Sequence, residues 1–133
     1  TSLNIADQEP IELTLPIARE KNMGVIAKRP IANAAWKSGQ KPIDSYQHAY
    51  WDRLRKLDYE FIRGRAVEQS VATALRFTLS APGVHTAIVG TTKPERWQQN
   101  ARMLEAGALS EAEFQAIRDR WDDIAPSTWV GQT

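Results

Sequence analysis

The chain contains no cysteine. Disulfides and thiolate metal sites are therefore excluded, and the composition fits a reducing compartment, with the cytoplasm as the expected location. An excess of one charge is also missing. Seventeen Lys and Arg against 16 Asp and Glu leave a net charge of +1, which gives no field to draw in nucleic acid or an anionic membrane surface. No stretch approaches the roughly 18 consecutive apolar residues of a membrane span, and no signal-peptide pattern opens the chain. Internal repeats, low-complexity tracts and convincing linkers are absent as well, so residues 1–133 read as one unit. What is present is ordinary for a globular piece: 42% of residues are hydrophobic and 25% are charged. A chain of 133 residues can bury about two thirds of its unfolded surface, enough for one core.

Apolar patterning alternates between strand and helix. Residues 2–6 read as a strand. Pro10 to Asn22 read as a helix with Ile11, Leu15 and Ala18 at helical spacing, kinked or started late by Pro16. Gly24 to Arg29 is a nearly unbroken apolar run, as expected of a strand buried on both faces. Pro30 to Arg65 is long for a connection and includes a helix over about Tyr46–Ile62, with Tyr50, Leu54, Leu57 and Phe61 on one face. Ala66 to Leu79 is a clear helix through Val67, Val71, Ala74, Leu75 and Thr78. Val84 to Val89 forms the next strand, and the helix of Arg96 follows with Trp97, Ala101 and Leu104 inward. Ser110 and Glu113 make a capping box for a last helix with Phe114, Ile117, Trp121 and Ile124 on one side. The order βαβαβα plus a terminal helix predicts an α/β fold with a parallel sheet.

The stretch from Ile88 to Asn100 carries the most chemistry. It reads as a strand end, a Gly90-Thr91-Thr92-Lys93 turn, and a helix with Pro94 suited to its first position. The unpartnered N–H groups of that helix favour an anion, and Arg96 can add a bidentate fork for phosphate. Gln99 and Asn100, about one turn further on, have amides able to meet a purine edge. A plainer alternative stands beside this reading: any βα turn favours Thr and Pro, and Arg96 would then be a solvated helix residue.

Ile88 to Met103 resembles the C-terminal signature of the aldo/keto reductases. That signature is an apolar pair, a basic residue, Ser or Thr, four free positions, Arg, two free positions, a small or polar residue, Asn, two free positions and an apolar residue. Thr91, Arg96, Gln99, Asn100 and Met103 match, whereas Gly90 stands where many members have Lys or Arg. The resemblance implies that Thr91 and Arg96 hold the 2′-phosphate of NADP(H) while Gln99 and Asn100 meet the adenine. Thr92 and Lys93 belong to the same turn, and Lys93 can offset the missing cation at Gly90. With Gly90 at that position, NAD(H) stays open as a cofactor.

Gly24 to Asn33 resembles the family's seventh barrel strand and the loop after it, and Ser2 to Gln8 the end of the sixth. By that likeness Lys28 takes the position that stacks on the nicotinamide. Arg29, Pro30, Ile31 and Asn33 line the pyrophosphate loop. The resemblance thus implies the C-terminal portion of a TIM (β/α)8 barrel, about three βα units plus a terminal helix, in an NADP(H)-dependent oxidoreductase. The substrate class would be a small aldehyde or ketone. The family's catalytic Asp, Tyr, Lys and His lie in its N-terminal half, so no residue here is assigned to catalysis. Tyr46, Tyr50, Tyr59, His48 and His85 match none of its motifs. The chain opens with Thr apparently inside a strand, which predicts a longer parent protein and an isolated segment that is inactive. Such a segment would self-associate through exposed strand edges. The alternative function is a non-enzymatic nicotinamide-binding module, a sensor or regulatory subunit on the same scaffold.

Weaker signals have simpler explanations. His48 and Asp52, four apart on a helix, have no third metal ligand nearby and read as a solvated pair. Arg53, Arg55 and Lys56, beside Trp51 and Tyr59, are diluted by Asp52, Asp58 and Glu60, so a solvated helix surface is favoured over a nucleic-acid face. Trp121 and Trp129 read as packing residues, and the tail from Pro126 as either packing or the edge of a substrate pocket.

Overall fold

Val25 and Ala27 point into the interior while Ile26 and Lys28 face the other way, and this period of two builds strand β1 (Ile26–Lys28). In the computed structural model, which describes residues 1–132, β1 pairs in parallel with β2 (Thr86–Ile88) in the register Ile26↔Thr86, Ala27↔Ala87, Lys28↔Ile88. On its other side β1 takes up residues 1–3. The Lys28 N–H donates to the Thr1 carbonyl at 2.8 Å, and the Leu3 N–H donates to the Lys28 carbonyl at 3.3 Å. Residues 1–3, β1 and β2 thus run side by side and parallel, joined by helical connections as parallel neighbours require.

The first strand is shorter than expected. Asn4 and Asp7 exchange backbone hydrogen bonds at 3.1 and 3.0 Å, and the Asn4 side chain accepts from the Ala6 N–H at 2.8 Å. A side chain that bonds the backbone two residues on favours a turn over a ladder, so residues 4–7 fold back. Nor is the Gly24–Arg29 run buried on both faces. Ile26 is 51% exposed and Ile88 60%, because no layer among the described residues covers that side of the sheet.

Pro16 splits the expected helix as its missing N–H and bulky ring require, giving α1 (Glu9–Leu13) and α2 (Leu15–Glu20). The long connection after β1 holds a 3₁₀ turn at Ser45–Gln47, then α3 (His48–Leu57) and α4 (Glu60–Arg63). The helix expected over Tyr46–Ile62 breaks at Asp58, whose φ of 47° takes the chain into the left-handed region. Helix α5 (Val67–Ser80) buries Ala74, Leu75, Phe77 and Thr78, while Val67 and Val71 face a cleft described below. Helix α6 (Arg96–Leu104) follows β2, and α7 (Glu111–Ile124) starts at the expected capping box, in which the Ser110 side chain accepts from the Glu113 N–H.

The core has two parts. Leu57, Tyr59, Phe77, Ile117 and Trp121 centre the larger, extended by stacking of Phe77 on Phe114 at 5.0 Å. Leu3, Leu15, Val25, Ala27 and Ala81 form the smaller, under α2 and the sheet. Trp97 corrects the expected phase of α6: it is 65% exposed, while Arg96, Asn100, Met103 and Leu104 form the half-buried stripe. One helical residue is a turn of about 100°, so packing against α5 brings Arg96 inward and turns Trp97 out. Among the described residues no helix is long and apolar enough to cross a membrane.

Candidate functional site

The chain leaves β1 through an unusual loop. Arg29 has a φ of 58°, and Ala32, Asn33 and Ala34 form a left-handed turn with φ values of 45°, 55° and 49°. Non-glycine residues pay roughly 1–2 kcal/mol for that conformation, so the surroundings must hold the loop in place. The Thr78 hydroxyl from α5 does part of this, lying 2.8 Å from the Pro30 carbonyl. The Ala34 N–H closes the turn on the Ile31 carbonyl at 2.7 Å.

The facing wall leaves β2 through Val89, Gly90 and Thr91. The Thr91 hydroxyl accepts from the Lys93 N–H at 3.1 Å, so it fastens the turn and caps no helix. Pro94 lies in that lead-in turn, with the Arg96 N–H bonded to the Lys93 carbonyl at 3.0 Å, and the regular helix begins at Arg96.

Between the two walls and the flank of α5 lies a cleft of about 610 Å³. Of the twelve residues singled out in the sequence, nine line it: Lys28, Arg29, Pro30, Ile31, Asn33, Gly90, Thr91, Arg96 and Asn100. Thr92, Lys93 and Gln99 are exposed and outside it. Val67 and Val71 supply an apolar side, and Lys37 and Tyr46 complete a polar one. Tyr46 and Lys37 are the residues that sequence reasoning missed. Neither has a local signal, since Tyr46 reaches Arg29 across 17 residues of chain.

The electrostatics of this cleft are one-sided. Among the described residues, Lys28, Arg29, Lys37 and Arg96 line it and no Asp or Glu does. Among the described residues the buried Asn33 Nδ2 has no hydrogen-bond partner, a donor held ready at the wall. Gly90 leaves its side open: an added Cβ would meet nothing within 4 Å. Arg29 donates to the Tyr46 hydroxyl, lies 4.6 Å above the Tyr46 ring, and donates to the Gln132 carbonyl at 3.0 Å.

Behind the cleft sits a buried polar cluster. Asp7 is wholly buried; its Oδ2 accepts from the Gln132 N–H at 3.0 Å and from the Tyr50 hydroxyl at 3.3 Å, and Arg53 stands 3.8 Å from its Oδ1. Burial pushes the Asp7 carboxyl above the usual carboxylate range, against the pull of the Gln132 N–H and Arg53. Burial likewise raises the Tyr50 hydroxyl and lowers the Arg53 guanidinium. The C-terminal tail is strapped over this cluster. Val130 accepts from Arg53 at 2.7 Å, the Gly131 N–H donates to Glu9 at 2.8 Å, and the Ser2 hydroxyl donates to the Gln132 carbonyl at 2.7 Å.

The weaker candidates resolve simply. His48 Nε2 lies 2.8 Å from the Pro42 carbonyl and Asp52 pairs with Lys41 at 3.3 Å; no group of three metal-ligating side chains occurs among the described residues. Arg53 is 6% exposed, so the run with Arg55 and Lys56 presents no continuous basic face and is not the solvated surface the sequence suggested. Trp129 packs on Trp121 at 5.5 Å and under the Arg53 guanidinium at 5.3 Å, as a packing residue should.

Three comparisons bear on this geometry. The sequence model of the aldo/keto reductase family matches residues 2–122. An uncharacterized oxidoreductase, YqkF, of Bacillus subtilis (strain 168) is 26% identical over 125 residues, covering 86% of this chain and 40% of its own. The apo form of the aldo-keto reductase AKR11C1 from Bacillus halodurans superimposes with a TM-score of 0.70 at 20% identity, over 98% of this chain and 45% of that one. The α/β fold is therefore shared with a solved aldo-keto reductase, and the chain spans less than half the length of either relative.

Proposed function

The chain belongs to the aldo/keto reductase family, and from that premise we propose that it is the cofactor-binding, C-terminal part of a (β/α)8 barrel whose whole protein reduces aldehydes or ketones with NADP(H). One observation carries the reading: among the described residues, four cationic side chains and no Asp or Glu line a single cleft at the ends of two parallel strands. That is where general barrel logic puts a ligand. A dinucleotide brings several phosphate charges, and Lys28, Arg29, Lys37 and Arg96 offer matching donors.

In this reading Arg96 and Thr91 take the 2′-phosphate, Asn100 meets the adenine, and the Arg29–Asn33 loop lies along the pyrophosphate. The Asn33 Nδ2, unpartnered among the described residues, supplies one neutral donor there. Lys28 covers a face of the nicotinamide with its stem. Thr92, Lys93 and Gln99 contribute from outside the cleft, through the turn and the outer flank of the helix. When bound, the cofactor supplies the hydride for carbonyl reduction; the acid that completes the reaction belongs to the rest of the parent protein. We place that protein in the cytoplasm.

The test is Arg96→Ala in the whole protein, with dissociation constants for NADPH and NADH measured side by side. NADPH should weaken by roughly 1–3 kcal/mol, the range for a lost charge-assisted pair, and NADH should change little. Equal weakening of both overturns the 2′-phosphate assignment. Tight, selective NADPH binding with no carbonyl turnover by the whole protein would favour a sensor or regulatory module instead.

A further inference from the structure

A second cleft, of about 510 Å³, opens between the Trp36–Gly39 turn, α3, α4 and the start of α5. It shares only Lys37 and Val67 with the first, so the two adjoin without merging. Its walls are flat and apolar, built from Trp36, Trp51 and Tyr59 with Leu54 and Ile62. Its polar lining is mostly cationic: Lys37, Arg55, Arg63 and Arg65 stand against a single carboxylate, Asp58. That carboxylate is already taken by Arg63 at 3.2 Å. Among the described residues, none of Lys37, Arg55 and Arg65 has a carboxylate within ion-pair distance.

The cations and the aromatic walls are adjacent. The Arg55 guanidinium lies 6.0 Å from the Trp51 ring centroid, at the edge of cation–π range, so ring and charge present themselves together. Trp36 is 8% exposed and its Nε1 has no hydrogen-bond partner among the described residues. A phosphate-rich ligand would leave these aromatic walls unused. A neutral hydrophobe would leave Arg55 and Arg65 without an ion-pair partner. The combination selects a ligand with an apolar ring at one end and an anion at the other, since aromatic walls reward ring burial and arginine forks pair with carboxylate.

We propose that this second cleft binds a flat aromatic carboxylate, at a site separate from the nicotinamide cofactor. The ring lies against Trp51 and the Trp36 edge, and the carboxylate meets Arg55 and Arg65. The proposal does not depend on the cofactor assignment, because its lining residues, apart from Lys37 and Val67, are its own.

Calorimetric titration of the whole protein with 2-naphthoate tests it, with 2-naphthylmethanol as the neutral ring of the same shape. Saturable binding of the naphthoate is expected, at least tenfold tighter than the alcohol and weakened by salt. Arg55→Gln and Arg65→Gln, both exposed positions, should each weaken naphthoate tenfold or more while leaving the circular dichroism spectrum and NADPH affinity unchanged. Equal affinity for the alcohol would reduce the cleft to an apolar patch. Competition by NADPH would move the ligand to the first cleft. Undetectable naphthoate binding, or wild-type affinity in both variants, overturns the site outright.

Discussion

Asp7 and Arg53 show what a buried ion pair demands of its partners. Arg53 also donates to the Ala6 carbonyl at 3.1 Å and to Val130 at 2.7 Å, so its removal leaves buried Asp7 without its counter-charge and the Ala6 carbonyl without that donor. Arg53→Ala should therefore cost about 3–5 kcal/mol, read as a lower urea midpoint with an unchanged slope. Tyr59 gives the clearest pH dependence. Burial pushes its hydroxyl well above the ordinary value of 10.0 while it donates to the Ile5 carbonyl at 2.8 Å. The unfolded chain ionises first, so this contribution is intact below pH 10.0 and falls as pH rises beyond it, by about 1.4 kcal/mol per pH unit. Tyr59→Phe should lower stability at neutral pH yet flatten the alkaline loss, as thermal midpoints between neutral pH and pH 11 would show. At this scale the sequence was readable where spacing is local. Thr91, Arg96 and Asn100 lie on one turn and one helix face, so a linear pattern captured them. Tyr46 and Lys37 enter the cleft through a long loop whose path no short-range rule specifies, and Arg53 looked solvated because its burial depends on Asp7 and a tail 77 residues away.

Elements were legible in proportion to the strength of their end signals. The capping box of α7 specified its start, and the Ser110 bonds to Glu113 hold that carboxyl below its ordinary range. Pro16 marked the break between α1 and α2. Asp58 gave no comparable warning, since a left-handed aspartate has no distinct composition, and α3 and α4 were read as one helix. Trp97 misled because bulk suggests burial, whereas the phase of α6 follows its packing on α5. Gly83 is where an element boundary depends on one residue. Its φ is 100°, and a Cβ there would come within 2.9 Å of Cγ in the stem of Arg19. Gly83→Ala should destabilise by about 1–2 kcal/mol, from backbone strain and the clash together, and a thermal melt would reveal it. No loss would mean that α2 yields more readily than its contacts suggest.

Over the whole molecule, one sheet face remains uncovered. Ile26 and Ile88 lie diagonally across adjacent strands on this face, 51% and 60% exposed. Produced alone, residues 1–133 should associate through this face. Sedimentation velocity should then show concentration-dependent oligomers that shrink when Ile26→Lys and Ile88→Lys are combined. A monodisperse monomer at high concentration would refute that expectation. Parallel order and the α/β alternation could be read from periodicity, but the exposure of this face could not, because an apolar strand run looks the same whether or not its second layer is present.

The strap across Asp7 has a kinetic meaning. Joining Gln132 to Ser2 closes a loop nearly as long as the chain, yet closure entropy grows only logarithmically with loop length. The fastening is therefore affordable, but it rests on a few bonds and should loosen long before the core does. Each loosening withdraws one acceptor of the Arg29 guanidinium, which keeps its contacts with Tyr46. Hydrogen exchange at the Gly131 and Gln132 amides thus times how often the tail lifts away from Asp7 and Glu9.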